Sequence, residues 1–219
     1  QVYMFSEPRI LKPLPRLQGW FDDDHYLIQK RDATASTIVK VNAKTGEETI
    51  LLDFNAINPN LDEAELTAEE NIGITKDYTG LLFYDDNDLF FYSVPKNKLT
   101  RLTEDKDKEV NPILSPDGKK VAYTKNKDLY VVDVESAKET RLTNDASDVV
   151  YNGYASWVYM EEIIGRSFNY RAFWWAPNSE MIAFLRFDDT PVPKFPLYKM
   201  DSVHGEIEWQ HYPKPGDPN

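Results

Sequence analysis

Two adjacent carboxylates, Glu161 and Glu162, stand in the stretch Trp157-Val158-Tyr159-Met160-Glu161-Glu162-Ile163-Ile164, among side chains that ordinarily pack. A carboxylate pair held against apolar surface must find a cationic or hydrogen-bonding partner, because an uncompensated buried charge is costly. A primary ammonium brings one positive charge and three donors. Two carboxylates can accept two or three of those bonds and still leave negative potential in excess, which describes a clasp for the free amine of a peptide. The same residues also suit an amphipathic turn with both glutamates in water, and surface pairs of that kind are common. From the residues alone the solvated turn is the favoured reading, with the amine clasp beside it.

Other chemistry is scarce. No Gly-x-Ser-x-Gly elbow occurs; the triplet Gly165-Arg166-Ser167 continues into Phe168-Asn169. His25, His204 and His211 lack metal-ligand spacing and are expected at the surface or partly packed. Asp22-Asp23-Asp24 and Asp85-Asp86-Asn87-Asp88 offer carboxylates to calcium, but neither has the glycine and terminal glutamate of an EF-hand loop. Both are expected to be solvated hairpin tips. With no cysteine, disulfides and thiolate metal sites are excluded. No cofactor and no metal are expected, and no catalytic residue is assigned within the chain.

Composition narrows the partners. The 219 residues carry 25 Lys+Arg against 37 Asp+Glu, a net charge of −12. That balance argues against a nucleic acid, whose binding needs clustered cations, and against an anionic membrane surface. No apolar run approaches the roughly 18 residues of a spanning helix. Gln1-Val2-Tyr3-Met4-Phe5 has neither the basic nor the apolar region of a signal peptide. An apolar fraction of 41% is enough for a packed core.

The elements that must position Glu161 and Glu162 are repeated. Leu89-Phe90-Phe91-Tyr92-Ser93-Val94, followed by Thr100-Arg101-Leu102-Thr103, returns forty positions later as Leu129-Tyr130-Val131-Val132-Asp133-Val134 and Thr140-Arg141-Leu142-Thr143. Turn sequences head the copies: Asp77-Tyr78-Thr79-Gly80, Ser115-Pro116-Asp117-Gly118 and Ala176-Pro177-Asn178-Ser179. A worn first copy runs through Thr37 to Leu52. Three or four short strands per repeat of about 40 residues is the signature of a β-propeller blade. The expected fold is all-β: about four blades near 19–53, 70–105, 109–145 and 172–212, within one partial propeller domain over 1–219. Ala56 to Glu70 is acidic and helix-compatible. The turns beginning at Ser115 and Ala176 are 61 positions apart, 21 beyond the period, and the excess falls in 147–171, around the glutamate pair. A short helical insertion is expected there, at a rim or face where binding sites gather.

Several motifs in fixed order resemble dipeptidyl peptidase IV and its relatives, of the prolyl oligopeptidase class of serine peptidases. They are Tyr151-Asn152-Gly153, Trp157-Val158-Tyr159-x-Glu161-Glu162, Phe173-Trp174-Trp175-Ala176-Pro177-Asn178 and Phe187-Asp188-Asp189-Thr190-x-Val192-Pro193. The likeness is close over 150–193 and in register over 109–219. It implies the first half of an eight-bladed propeller that caps an α/β-hydrolase domain, with the catalytic Ser, Asp and His in that domain and absent from these residues. It implies that Glu161 and Glu162 bind the substrate's free α-amine, supported by Trp157 and Tyr159, and that Met160 stands where the family has a further glutamate. The family's substrate-contacting arginine has no counterpart in the short segment Tyr84-Asp85-Asp86-Asn87-Asp88-Leu89, so that role is not carried over, and release of dipeptides or tripeptides stays open.

The resemblance further implies peptide substrates with a free N-terminus, and a periplasmic, secreted or envelope location. Without an Asn-x-Ser/Thr sequon a bacterial relative is favoured over a glycosylated mammalian one. Half a propeller leaves strand edges unmatched, so a homodimer is an expected partner beside the hydrolase domain of the same polypeptide. The competing reading is a non-catalytic propeller that scaffolds a protein partner, its glutamates structural.

Overall fold

In the computed structural model, residues 16–31, 36–201 and 203–218 are described; the opening segment read above for a leader lies outside them. The chain divides into two units, residues 1–70 and 71–219.

In the first unit four strands form an antiparallel sheet in chain order: β1 Arg16–Trp20, β2 His25–Arg31, β3 Ser36–Asn42 and β4 Glu48–Asp53. Tyr26, Ile28, Val39 and Val41 cluster on it. The acidic segment that follows is helical in short pieces. Asp53 caps the turn Phe54–Ile57 by accepting from the backbone N–H groups of Asn55 and Ala56, and three 3₁₀ turns follow, Asn58–Asn60, Asp62–Ala64 and Ala68–Glu70.

The second unit opens with two further four-stranded antiparallel sheets. One comprises β5 Gly73–Ile74, β6 Gly80–Asp85, β7 Asp88–Ser93 and β8 Lys98–Arg101; the other β9 Val110–Leu114, β10 Lys120–Lys125, β11 Asp128–Asp133 and β12 Glu139–Arg141. Alternation along β10 shows how they stack. Val121 and Tyr123 face one way, into a core with Leu82, Leu89, Phe91, Leu102, Tyr130 and Val132. Ala122 faces the other way, with Leu129 and Phe173. The period of two thus buries both faces of this sheet.

The forty-residue repeat corresponds to a repeated lock. Leu89 N donates to Thr103 Oγ1 at 2.8 Å and Leu129 N to Thr143 Oγ1 at 2.9 Å. Arg101 donates from Nε to Asp88 Oδ2 at 2.9 Å and from Nη2 to the same oxygen, and Arg141 donates from Nη2 to Asp128 Oδ2. Each Arg-Leu-Thr run therefore fastens the outer strand to the buried aspartate that opens the strand beside it. Asp88 was expected at a solvated tip and is instead buried, because the guanidinium and a backbone donor hold it. Asp85 and Asp86 are exposed, as are Asp22, Asp23 and Asp24 of the first unit.

Beyond β12 the pattern changes. β13 Val150–Asn152 pairs with β16 Arg186–Asp188, β14 Phe173–Trp175 with β15 Ile182–Phe184, and β17 Lys194–Lys199 with β18 Glu206–His211. The span 172–212 is therefore not one four-stranded sheet: β16 turns back to a strand inside the extra segment. Pro191 and Pro193, which lack backbone donors, separate β16 from β17. No helix among the described residues is long and apolar enough to cross a membrane.

Candidate functional site

The extra segment is closed at its base like a stem. Ala172 N donates to Gly153 O at 2.9 Å, Tyr154 bridges Arg171, and Ala155 N donates to Tyr170 O at 2.8 Å. Gly153 has φ +69, and an added Cβ would meet Leu129 and Phe173 at 3.3 and 3.4 Å, so glycine lets the stem lie against the third sheet. Asn152 fixes it there: its Nδ2 donates to Oδ1 of Asp128 at 3.0 Å and to Oδ1 of Asp145 at 2.7 Å. The two carboxyls lie below their usual range. For Asp128, burial raises the value, and the bonds from Thr143, Arg141 and Asn152 more than offset it. For Asp145 the bond from Asn152 is the leading cause. Tyr154 stacks on Tyr170 at 4.8 Å, and burial pushes the Tyr154 hydroxyl up to about 12.

At the head of this stem lies a π-helical segment, Tyr159–Gly165, which carries Glu161 and Glu162. Aromatic contacts hold its approach. The Tyr159 ring meets Phe187 of β16 edge-on at 4.8 Å, and Trp157 packs on Tyr212 at 5.5 Å. Both residues expected to support the motif thus tie it to later parts of the unit.

The two glutamates differ. The Glu161 side chain retains 18% exposure and is paired with the guanidinium of Arg166, itself 75% exposed. Glu162 is exposed. Arg171, the other nearby cation, turns away to lie over the Phe168 ring at 4.9 Å. The segment therefore offers one partly enclosed carboxylate that already accepts a cation and one exposed to water. A cleft lies on the Trp157 side, lined by Tyr151, Tyr154, Trp157, Tyr170, Trp209 and His211; the two glutamates are not among its walls. His211 Nδ1 is 2.7 Å from Val192 O, His25 pairs with Asp22, and His204 is exposed.

Two buried acids escaped the sequence reading. Asp189, in the Phe187-Asp188-Asp189-Thr190 run, is buried and its carboxyl is raised by desolvation. Glu109 is buried just before β9 and is pushed up to about 7, chiefly by desolvation. No spacing marks either one; only the burial of a strand end does.

Stacked antiparallel sheets with an acidic turn raised on a pinned stem define an all-β region that holds none of the usual nucleophile motifs. Comparison with known proteins then supplies its relatives. The family described as the dipeptidyl peptidase IV (DPP IV) N-terminal region matches residues 77–219, and the chain belongs to that family. Pig dipeptidyl peptidase 4 is 29% identical over 221 residues, covering 91% of this chain and 26% of that protein. Dipeptidyl aminopeptidase B of Saccharomyces cerevisiae is 36% identical over 112 residues, 49% of this chain and 13% of that protein. The crystal structure of Porphyromonas gingivalis dipeptidyl peptidase 4 superposes with a TM-score of 0.64 at 22% identity, over 94% of this chain and 30% of that one. The chain spans about a quarter of the length of the pig relative.

Proposed function

We propose that this chain is the part of a dipeptidyl peptidase IV-like serine exopeptidase that recognises the substrate's N-terminus, and that its sheets are blades of the first half of an eight-bladed propeller. The hydrolase domain of the same polypeptide supplies the Ser, Asp and His, and these residues alone are inactive. Glu161 and Glu162 accept the α-ammonium of the incoming peptide. The observation that carries this reading is the state of Glu161: a partly enclosed carboxylate, raised on a stem and already paired with an exposed cation.

Holding the amine places the scissile bond a fixed number of residues away, which is a positional contribution to catalysis. An acylated N-terminus cannot supply the charge. The products are N-terminal di- or tripeptides ending in proline, released outside the cytoplasm.

The test uses the full-length enzyme. Each charge-assisted bond is worth about 1.5–3 kcal/mol, so Glu161→Gln or Glu162→Gln lowers kcat/KM for free-amine substrates by roughly 10- to 150-fold. Thermal unfolding should be unmoved. Kinetics that match the parent enzyme in both variants would overturn the reading.

A further inference from the structure

A second acidic group lies apart from the glutamate turn. Asp105 follows β8, Glu109 immediately precedes β9, and Glu139 opens β12; one carboxylate oxygen from each lies within 4.8 Å of the others. Such spacing suits oxygens that share one calcium ion at 2.3–2.6 Å.

Glu109 is the informative member. Its residue exposure is 1%, and neither carboxylate oxygen has a hydrogen-bond partner among the described residues. A buried acceptor left without a donor is costly. Asp105 and Glu139 remain about a third exposed at the side chain, and a cleft that both line gives a path from solvent.

One cation is already present. Lys125 Nζ stands 2.6 Å from Asp105 Oδ2 and 2.7 Å from Glu139 Oε2, but makes no ion pair with Glu109. Three carboxylates and one ammonium leave two negative charges when all are ionised, the charge of a divalent ion. In that same position Nζ lies 4.8 Å from the centre of the Tyr130 ring, so the ammonium keeps a cation–π partner beside the carboxylates.

We propose that Asp105, Glu109 and Glu139 bind a hard divalent cation of the calcium type, with Glu109 as the floor of the site and water completing the shell. The donors are oxygen only, which selects calcium or magnesium over the softer metals. The ion would join the β8–β9 connection to the outer strand β12, so its effect falls on the cohesion of the second and third sheets, away from Glu161.

Chelator-treated full-length protein is titrated with calcium chloride by calorimetry and followed by thermal unfolding. One equivalent binds, and Tm rises saturably by several degrees. Glu109→Gln, which keeps the shape of the side chain, loses at least tenfold in affinity. Lys125→Met lowers Tm without calcium and regains it with calcium. The proposal fails if 10 mM calcium gives neither heat nor a Tm shift in the parent protein. It fails equally if Glu109→Gln binds calcium as the parent does, which would mean adventitious capture by surface acids.

Discussion

Asn152 Nδ2 reaches Asp128 Oδ1 at 3.0 Å, so the strand that leads into the glutamate stem is bonded to the aspartate lock of the sheet before it. The same nitrogen also reaches Asp145. Asn152→Ala removes a donor from a buried carboxylate that keeps Arg141 and Thr143. The expected loss is about 1.5–3 kcal/mol, the range for hydrogen bonds to charged groups. It should appear as a lower urea midpoint with an unchanged slope. A midpoint within error of the parent would show that the remaining partners suffice.

The Asp128 lock also sets an acid limb. Desolvation opposes ionisation there, yet the bonds from Thr143, Arg141 and Asn152 hold the folded carboxyl below its unfolded value. A depressed acid stabilises the fold above the unfolded pKa, and that stability is lost as pH falls through the folded one. The urea midpoint of the parent should therefore drop as pH falls below about 4. Asp128→Asn should be less stable at neutral pH and flatter over that range. Parallel curves would sink the assignment.

Gly118 closes the Ser-Pro-Asp-Gly turn at φ +71, where an added Cβ would sit 2.7 Å from Thr75 Cγ2. Left-handed backbone alone costs a residue with a Cβ about 1–2 kcal/mol, and the clash adds to it. Gly118→Ala should therefore cost roughly 2–3 kcal/mol. Thr75→Ser, which removes the offending methyl, should recover part of this in the double variant. Strict additivity in that cycle would place the whole cost in the backbone.

The sheets were legible because their signals are local. The Asp86-Asn87 and Asn126-Lys127 pairs have positive φ at both residues, the turn geometry expected between paired strands. The forty-residue echo runs through residues that turn out to be equivalent. What the Arg-Leu-Thr runs bind was not legible, since Asp88 lies 13 positions from Arg101 and meets it only once the strands pair. The last strands were hidden for a related reason. β16 joins β13 across the whole stem, a non-local choice that no turn signal announces. Glu161 and Glu162 drew notice as acids among aromatics, but their unequal exposure depends on how the π-helical segment is rotated, and on Arg166.

Arg166 sits on the carboxylate proposed to receive the peptide amine, so a substrate must displace it from Glu161. A pair with so exposed a cation is worth about 0.2–1 kcal/mol. In the full-length enzyme Arg166→Ala should therefore lower KM for free-amine peptides by at most about fivefold. No change in kcat is expected, because the guanidinium opposes binding and not the chemical step. Arg166→Lys, a shorter reach with one charge, should fall between the two. A rise in KM on removing Arg166 would instead make the guanidinium a substrate contact, and would fit a backbone carbonyl or carboxylate of the peptide lying beside the amine.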